Sequence, residues 1–299
     1  MKTEINPVIN KDMHDILRKF IKERYQIHIN KDVLKTEAPW SEDPHFIKYK
    51  YCNIRREHDR TTIYGIKNIC RNKKLSFKNK ILNIILFRML NSVRSFEQVD
   101  DFPYDFENID WKEVKNQKFK DNVMFHTAFI MTGIALGVSR KYKIKKADYY
   151  HIVKTVYDEN KTADEIIKAE SPEEVYKICK TLTGTGDFLA YQLYLDFTYC
   201  PEFKFGENDF VHVGPGSKKG IDFLFSDKKG LKYNDILIWM KKNENKLFFG
   251  DIAPEKLFTD IENKEYTLCC IENILCEYSK YIRSEYKNGA KPKALYKYN

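Results

Sequence analysis

The sequence predicts an all-α protein. Apolar residues recur at helical spacing through most of the 299 residues, helix start signals precede several of these stretches, and few segments alternate in the manner of strands. No Pro/Ser-rich linker and no internal repeat divides the chain. The expectation is one helical domain over residues 1–286, followed by a basic tail, 287–299, that frays.

The elements follow in order. Met13, Ile16, Leu17, Phe20 and Ile21 share one face of a helix over residues 13–25. A loop then ends in Pro39-Trp40-Ser41-Glu42-Asp43-Pro44, and a helix rich in basic and aromatic residues is expected over 46–72. Residues 75–93 leave little polar face and predict a buried helix. Residues 100–110, acidic and aromatic with Pro103, predict a loop. Residues 122–138 are apolar and carry Gly133 and Gly137, which suit close approach to a neighbour. Short amphipathic helices follow over 147–157 and 163–169. Ser171-Pro172-Glu173-Glu174 is a strong helix start, with Ser as N-cap, Pro at the first position and Glu at the third. That helix runs to about Thr181, and Thr183-Gly184-Thr185-Gly186 separates it from another over 187–199. Residues 203–220 are glycine-rich and predict a loop. Helices over 233–245 and 266–286 complete the set.

Composition narrows the classes of function. The chain is 42% hydrophobic and 14% aromatic, enough for a large core and unlike a disordered chain. Its formal net charge of +9 favours an anionic partner, nucleic acid first. A compositional bias rich in Ile, Asn, Lys and Tyr would give the same excess. The seven cysteines form no CxxC pair, so neither a zinc ribbon nor a disulfide framework is expected. The N-terminus carries no signal-peptide pattern and no apolar run is long enough to span a bilayer. A cytoplasmic, soluble protein without a membrane partner, and with no obligate protein partner evident, is the expectation.

Two constellations suit a nucleic acid. Helix, Gly184-Thr185-Gly186 and helix make a helix-hairpin-helix, whose glycines let backbone approach a phosphate and whose second helix offers free N–H groups. An ordinary glycine turn between two helices is the plainer reading. Arg55, Arg56 and Arg60 are arginines clustered in a lysine-dominated chain, suited to gripping phosphates. Beside them Asp59 would hold an arginine or touch a base edge, and Trp40 would stack on a base. The alternative is a solvated helix with internal ion pairs and Trp40 in the core.

Five stretches together resemble a known family. They are Pro39-Trp40-Ser41-Glu42-Asp43-Pro44; the run from Tyr51 to Thr61 with Asn53-Ile54-Arg55 and Asp59-Arg60; Phe188-Leu189-Ala190-Tyr191-Gln192 with Asp196; Gly214-Pro215-Gly216-Ser217-Lys218-Lys219-Gly220-Ile221; and Leu275-Cys276-Glu277-Tyr278-Ser279-Lys280-Tyr281. In this order they resemble the helical domain associated with 5-hydroxymethyldeoxyuridine DNA kinases and glutamyl/putrescinyl thymine pyrophosphorylases.

The resemblance implies a helix-hairpin-helix, DNA glycosylase-like helical bundle acting on 5-substituted pyrimidines of duplex DNA. Two chemistries are open. The first is excision of a modified base flipped from the duplex, as in antiphage glycosylases. Asp209, just beyond the hairpin's second helix, or else Asp196 would stabilise the cationic sugar. The second is transfer of an amine or amino acid onto an activated 5-hydroxymethyluracil. A non-catalytic DNA-binding module is the third reading. The resemblance places Arg55, Asp59, Gln192, Asp196 and the Gly214-Pro215-Gly216 loop around the pocket; Gly216 with Lys218 or Lys219 would cradle a phosphate there, and a structural turn with Pro215 at a fixed φ is the plainer reading of the loop. Phe188 stands where lyase-active glycosylases carry a lysine, and the iron–sulfur cysteines of other members are absent. No metal or redox cofactor is expected. Without GxxxxGK[ST], phosphorylation by this chain is not expected either.

Overall fold

A computed structural model describes residues 5–120, 124–125, 132–250, 265–287, 289, 291–292 and 294–296. The protein is mostly helical, as the sequence predicts, with one two-stranded sheet among the described residues. The chain divides into two compact units: Met1–Asp59 with Val211–Asn299, and Arg60–Phe210. Helices are labelled in chain order.

The first unit holds α1 (Lys11–His28) and α2 (Pro44–Lys48), then α12 (Pro215–Leu224), α13 (Tyr233–Lys242) and α14 (Leu268–Glu285). Asn10 caps α1 by accepting the Met13 N–H at 3.3 Å. Leu17, Phe20 and Ile21 are buried as their spacing predicts. Phe20 sits among Phe46, Tyr51, Tyr278 and Tyr281, with ring centroids 5.4–6.4 Å apart. β1 (Val8–Ile9) pairs antiparallel with β2 (Phe225–Asp227).

The helix expected over 46–72 is broken. α2 ends at Lys48, residues 49–55 run without helix, and a 3₁₀ turn follows at Arg56–His58. The cause lies far off in sequence. Arg24 of α1 donates from Nε to the Tyr51 and Cys52 carbonyls, each at 3.0 Å, and from Nη2 to Asn53 Oδ1 at 2.6 Å. These bonds hold the segment in its extended course against α1.

α12 is the second departure, since residues 203–220 were expected to be loop. Pro215 occupies its first position and Gly214 its N-cap. Gly216 and Gly220, four residues apart, face α14: a Cβ on Gly216 would lie 2.5 Å from Cys276 Sγ, and one on Gly220 would lie 2.3 Å from the Leu275 carbonyl oxygen. The glycines serve helix packing. The tail expected to fray is also held at residues 294–296. Lys50 N–H donates to Ala294 O at 2.9 Å, and Tyr296 N–H to Lys48 O at 3.2 Å.

The second unit runs α3 (Arg60–Gly65), α4 (Phe77–Leu90), α5 (Val93–Phe96), α6 (Trp111–Asn116), α7 (Thr132–Tyr142), α8 (Tyr149–Asp158), α9 (Asn160–Lys168), α10 (Pro172–Thr181) and α11 (Asp187–Phe197). α4 is its centre. Ser76 caps it, its residues from Asn79 to Leu90 are buried, and α8, α9 and α11 pack on it. The side chain of Asn83 holds both main-chain groups of Tyr104, accepting the N–H and donating to the carbonyl at 2.8 Å each, which fixes the expected 100–110 loop. Ser171 caps α10 as its sequence predicts, accepting the Glu174 N–H at 3.2 Å.

A short glycine turn joins α10 to α11. Gly184 has φ +75°, the left-handed region that favours glycine. Gly133 and Gly137 of α7 press against it: a Cβ on Gly184 would lie 2.5 Å from the Gly133 carbonyl oxygen and 2.7 Å from Ile134 Cα. The close neighbour expected for Gly133 and Gly137 is thus this turn. Residues 122–123 and 126–131 of that predicted apolar stretch lie outside the described residues.

Candidate functional site

In the first unit, polar side chains gather on one face of α14. Glu272, Asn273, Cys276, Glu277 and Lys280 are spaced to share that face. Opposite Asn273 and Glu277 lies the unwound segment that Arg24 holds. Its hub is Asn53, which donates from Nδ2 to the His58 carbonyl at 3.0 Å and to Asp59 Oδ1 at 2.9 Å, and whose own carbonyl accepts Asn273 Nδ2 at 2.8 Å. The Cys52 N–H donates to Glu277 Oε2 at 3.2 Å, and Lys280 Nζ donates to Glu277 Oε1.

Arg24, Asn53 and Glu277 are all buried. Polar groups taken out of water cost free energy unless paired. Burial pushes the Asp59 carboxyl above the ordinary carboxylate range, against the hydrogen bonds from Asn53. Burial opposes the charge of Lys280, yet Glu277 beside it holds its ammonium above the usual lysine range. The cluster therefore combines a carboxylate primed to take a proton with an ammonium that stays charged.

The glycine loop departs from its expected role. The Gly214 N–H donates to Glu272 Oε1 at 3.2 Å, and Ser217 Oγ lies 2.5 Å from the same oxygen. The α12 N-terminus thus holds the Glu272 carboxyl of its own chain. Gly216 faces Cys276, and Lys218 is exposed with its ammonium 5.7 Å from the Tyr233 ring centroid.

The arginines do not form one cluster. Arg55 is 2% exposed, its guanidinium spent on Glu57 Oε1 and the Glu265 carbonyl at 2.8 Å each. Arg56 is buried in the 3₁₀ turn. Arg60 alone of the three is exposed, reaching Glu97 in the second unit at 3.4 Å. Trp40 donates to the Thr36 carbonyl at 3.0 Å and meets Tyr296 edge-on at 5.4 Å, so it anchors the C-terminal residues.

In the second unit, Asp196 of α11 is buried and meets Arg88 of α4 in a two-pronged ion pair: Arg88 Nε donates to Oδ2, and Nη2 to Oδ1 at 2.8 Å. Arg88 Nη1 also donates to Asn91 Oδ1 at 2.7 Å. The pair lines a cavity with Thr61, Thr62, Phe87 and Tyr199 that has room for about one water, too little for a pyrimidine. Gln192, one turn before Asp196, is buried as well. Asp209 is exposed and closes a turn, its Oδ2 accepting the Gly206 N–H at 2.7 Å. Both candidate carboxylates thus have local structural partners. At the hairpin Gly184 is packed, whereas Gly186 has open space where a side chain would stand.

Sequence reasoning missed Arg24, Asn53, Glu272, Asn273, Glu277 and Lys280 as site residues. One signal for the α14 group was available: polar residues at helical spacing along a helix otherwise built of Leu, Ile, Cys and Tyr. Among the described residues no helix is long and apolar enough to cross a membrane, and no group of His, Cys, Asp and Glu could hold a metal.

Comparison with known proteins gives one family match, over residues 11–291, to the model described as "5-hmdU DNA kinase, helical domain". A curated relative, the 5-hmdU DNA kinase of Bacillus phage SP10, is 24% identical over 283 residues, an alignment that covers 87% of this chain and 43% of the relative. The chain spans less than half the length of that relative. No solved structure matches the chain.

Proposed function

Because the chain belongs to the helical-domain family of 5-hmdU DNA kinases, we propose that it acts on 5-substituted pyrimidines in DNA and carries out a step of base hypermodification. The reaction is attachment of an amine or amino acid to an activated 5-hydroxymethyluracil. The amine nitrogen attacks the 5-methylene carbon, the bond from that carbon to the phosphoryl oxygen breaks, and phosphate or pyrophosphate leaves with the electron pair. The proton lost by the amine needs a base, and the leaving group needs a cation.

The observation that carries this reading is the cluster around Asn53 and α14. Asp59, its carboxyl raised by burial, suits the general base. Lys280, kept charged by Glu277, suits the departing phosphoryl oxygens. Excision of the base has less support, since Asp196 is bound to Arg88 and Asp209 to a turn.

The test is to incubate the protein with duplex DNA carrying pyrophosphorylated 5-hydroxymethyluracil and an amine donor (a polyamine or an amino acid), then to weigh the released nucleosides. The expected result is a mass gain on an intact nucleoside, lost in Asp59→Asn and Lys280→Met. Free base with alkali-labile sites would overturn the reading in favour of excision. Unchanged nucleosides with every donor class would also reject it.

A further inference from the structure

We propose that residues 140–146, at the end of α7, form with the neighbouring hairpin a surface that docks the phosphate backbone of duplex DNA. The inference rests on the reading that the chain acts on DNA.

Arg140, Lys141, Lys143, Lys145 and Lys146 fall within seven residues that include no acid, and all five are exposed. Lys141 pairs with Asp158 at 3.2 Å. Among the described residues the other four make no ion pair with an acidic side chain. The helix dipole accounts for cations in the last turn of α7, which are Arg140 and Lys141. It does not account for Lys145 and Lys146, which lie beyond the helix.

Packing places this run beside the hairpin. A Cβ on Gly137 would lie 3.0 Å from Gly184 Cα, so α7 touches the turn backbone to backbone. Arg140 and Lys141 follow Gly137 by three and four residues. They continue its face about one turn, or about 5.4 Å, further along the axis. On the hairpin side, Gly186 is open and Phe188 is 55% exposed. The one acid there, Asp187, is matched by Lys180 Nζ at 2.6 Å. A strand of DNA would meet open glycine backbone on one side and unpaired cations on the other.

Lys143 has φ +55° where the chain leaves α7, a conformation that Lys35 and Lys229 share elsewhere, and the Ile144 N–H closes that end onto the Ser139 carbonyl at 3.0 Å. Glycine is the residue that this kind of helix end favours, and a side chain there costs about 1 kcal/mol.

The experiment measures anisotropy of a fluorescein-labelled plain duplex with the full chain across a salt series, alongside the matching single strand. It uses the wild type, Lys143→Gly, and a fourfold variant with Arg140→Gln, Lys143→Gly, Lys145→Gln and Lys146→Gln. The fourfold variant is expected to lose at least about tenfold in duplex affinity, with the slope of log affinity against log salt reduced by about 0.9 per phosphate contact removed. Lys143→Gly alone is expected to weaken binding while its Tm stays level or rises, which misfolding would not produce. Wild-type binding matched in affinity and slope by the fourfold variant would overturn this surface and leave the DNA reading standing. Equal loss on the single strand would reject duplex docking. Failure of the wild type to bind any DNA would sink the reading on which the surface rests.

Discussion

Ser217 Oγ lies 2.5 Å from Glu272 Oε1 and 2.7 Å from the Glu272 carbonyl oxygen, a serine of α12 held between two acceptors of one residue on α14. A hydroxyl has one proton to give. With that proton on the carbonyl, the contact to Oε1 gains a second proton only when Glu272 is protonated. Burial raises the Glu272 carboxyl in the same direction, opposed by the Ser217 and Gly214 hydrogen bonds. A carboxyl raised on folding binds protons better in the native state. Stability then falls as pH rises above the unfolded value of about 4.3, and levels off once the folded group has ionised.

Glu272→Gln keeps a neutral side chain of the same shape. Its Tm relative to wild type is therefore expected to improve as pH rises from about 4 toward neutrality. Glu272→Ala leaves the Gly214 N–H without its partner, while Ser217 keeps the Glu272 carbonyl, at a cost of about 1–3 kcal/mol at any pH. Thermal melts of the three proteins between acid and neutral pH check this; parallel curves for wild type and Gln would show that folding does not raise the Glu272 carboxyl.

Asp196 and Arg88 lead to a second expectation. Each is buried, and each is the other's main charge partner. Asp196→Ala strands a buried guanidinium and should cost about 3–5 kcal/mol, read as a lower urea midpoint. Replacing both, as Arg88→Met with Asp196→Leu, removes the stranded charge and should recover much of the loss. A double variant no better than Asp196→Ala would mean that the pair is not the unit of stability. Nucleoside modification retained in the double variant would confirm that Asp196 works through packing rather than chemistry.

Much of the helical pattern was legible because it is local. Ser171 and Pro172 announce α10, and the unbroken apolar run of α4 announces burial. The Gly133 and Gly137 pair signals a close approach, although only the structure shows that the neighbour is Gly184. What sequence could not show depends on partners distant along the chain. Arg24 unwinds residues 51–53 from across the first unit, so a stretch with good helical composition becomes the centre of the site. Arg55 reads as a phosphate clamp until Glu57 and the Glu265 carbonyl are seen to hold it inside. The glycines of α12 read as a ligand loop because spacing alone does not distinguish a backbone approached by phosphate from one approached by a helix.

Gly184 and Gly186, two residues apart in one turn, separate these uses of glycine. Gly184→Ala meets a positive φ and a Cβ position 2.5 Å from the Gly133 carbonyl oxygen, with backbone that has little room to yield. Strain at φ and overpacking together are expected to cost roughly 2–5 kcal/mol. Gly186 has extended backbone at φ −106° and nothing within 4 Å of an added Cβ. Gly186→Ala should stay within about 0.5 kcal/mol of wild type. Chemical unfolding of the two variants side by side checks the contrast, and duplex binding by the stable Gly186→Ala protein then reports whether the open side of the turn meets a phosphate. Equal destabilisation by the two substitutions would mean that α7 does not press on the turn through Gly184.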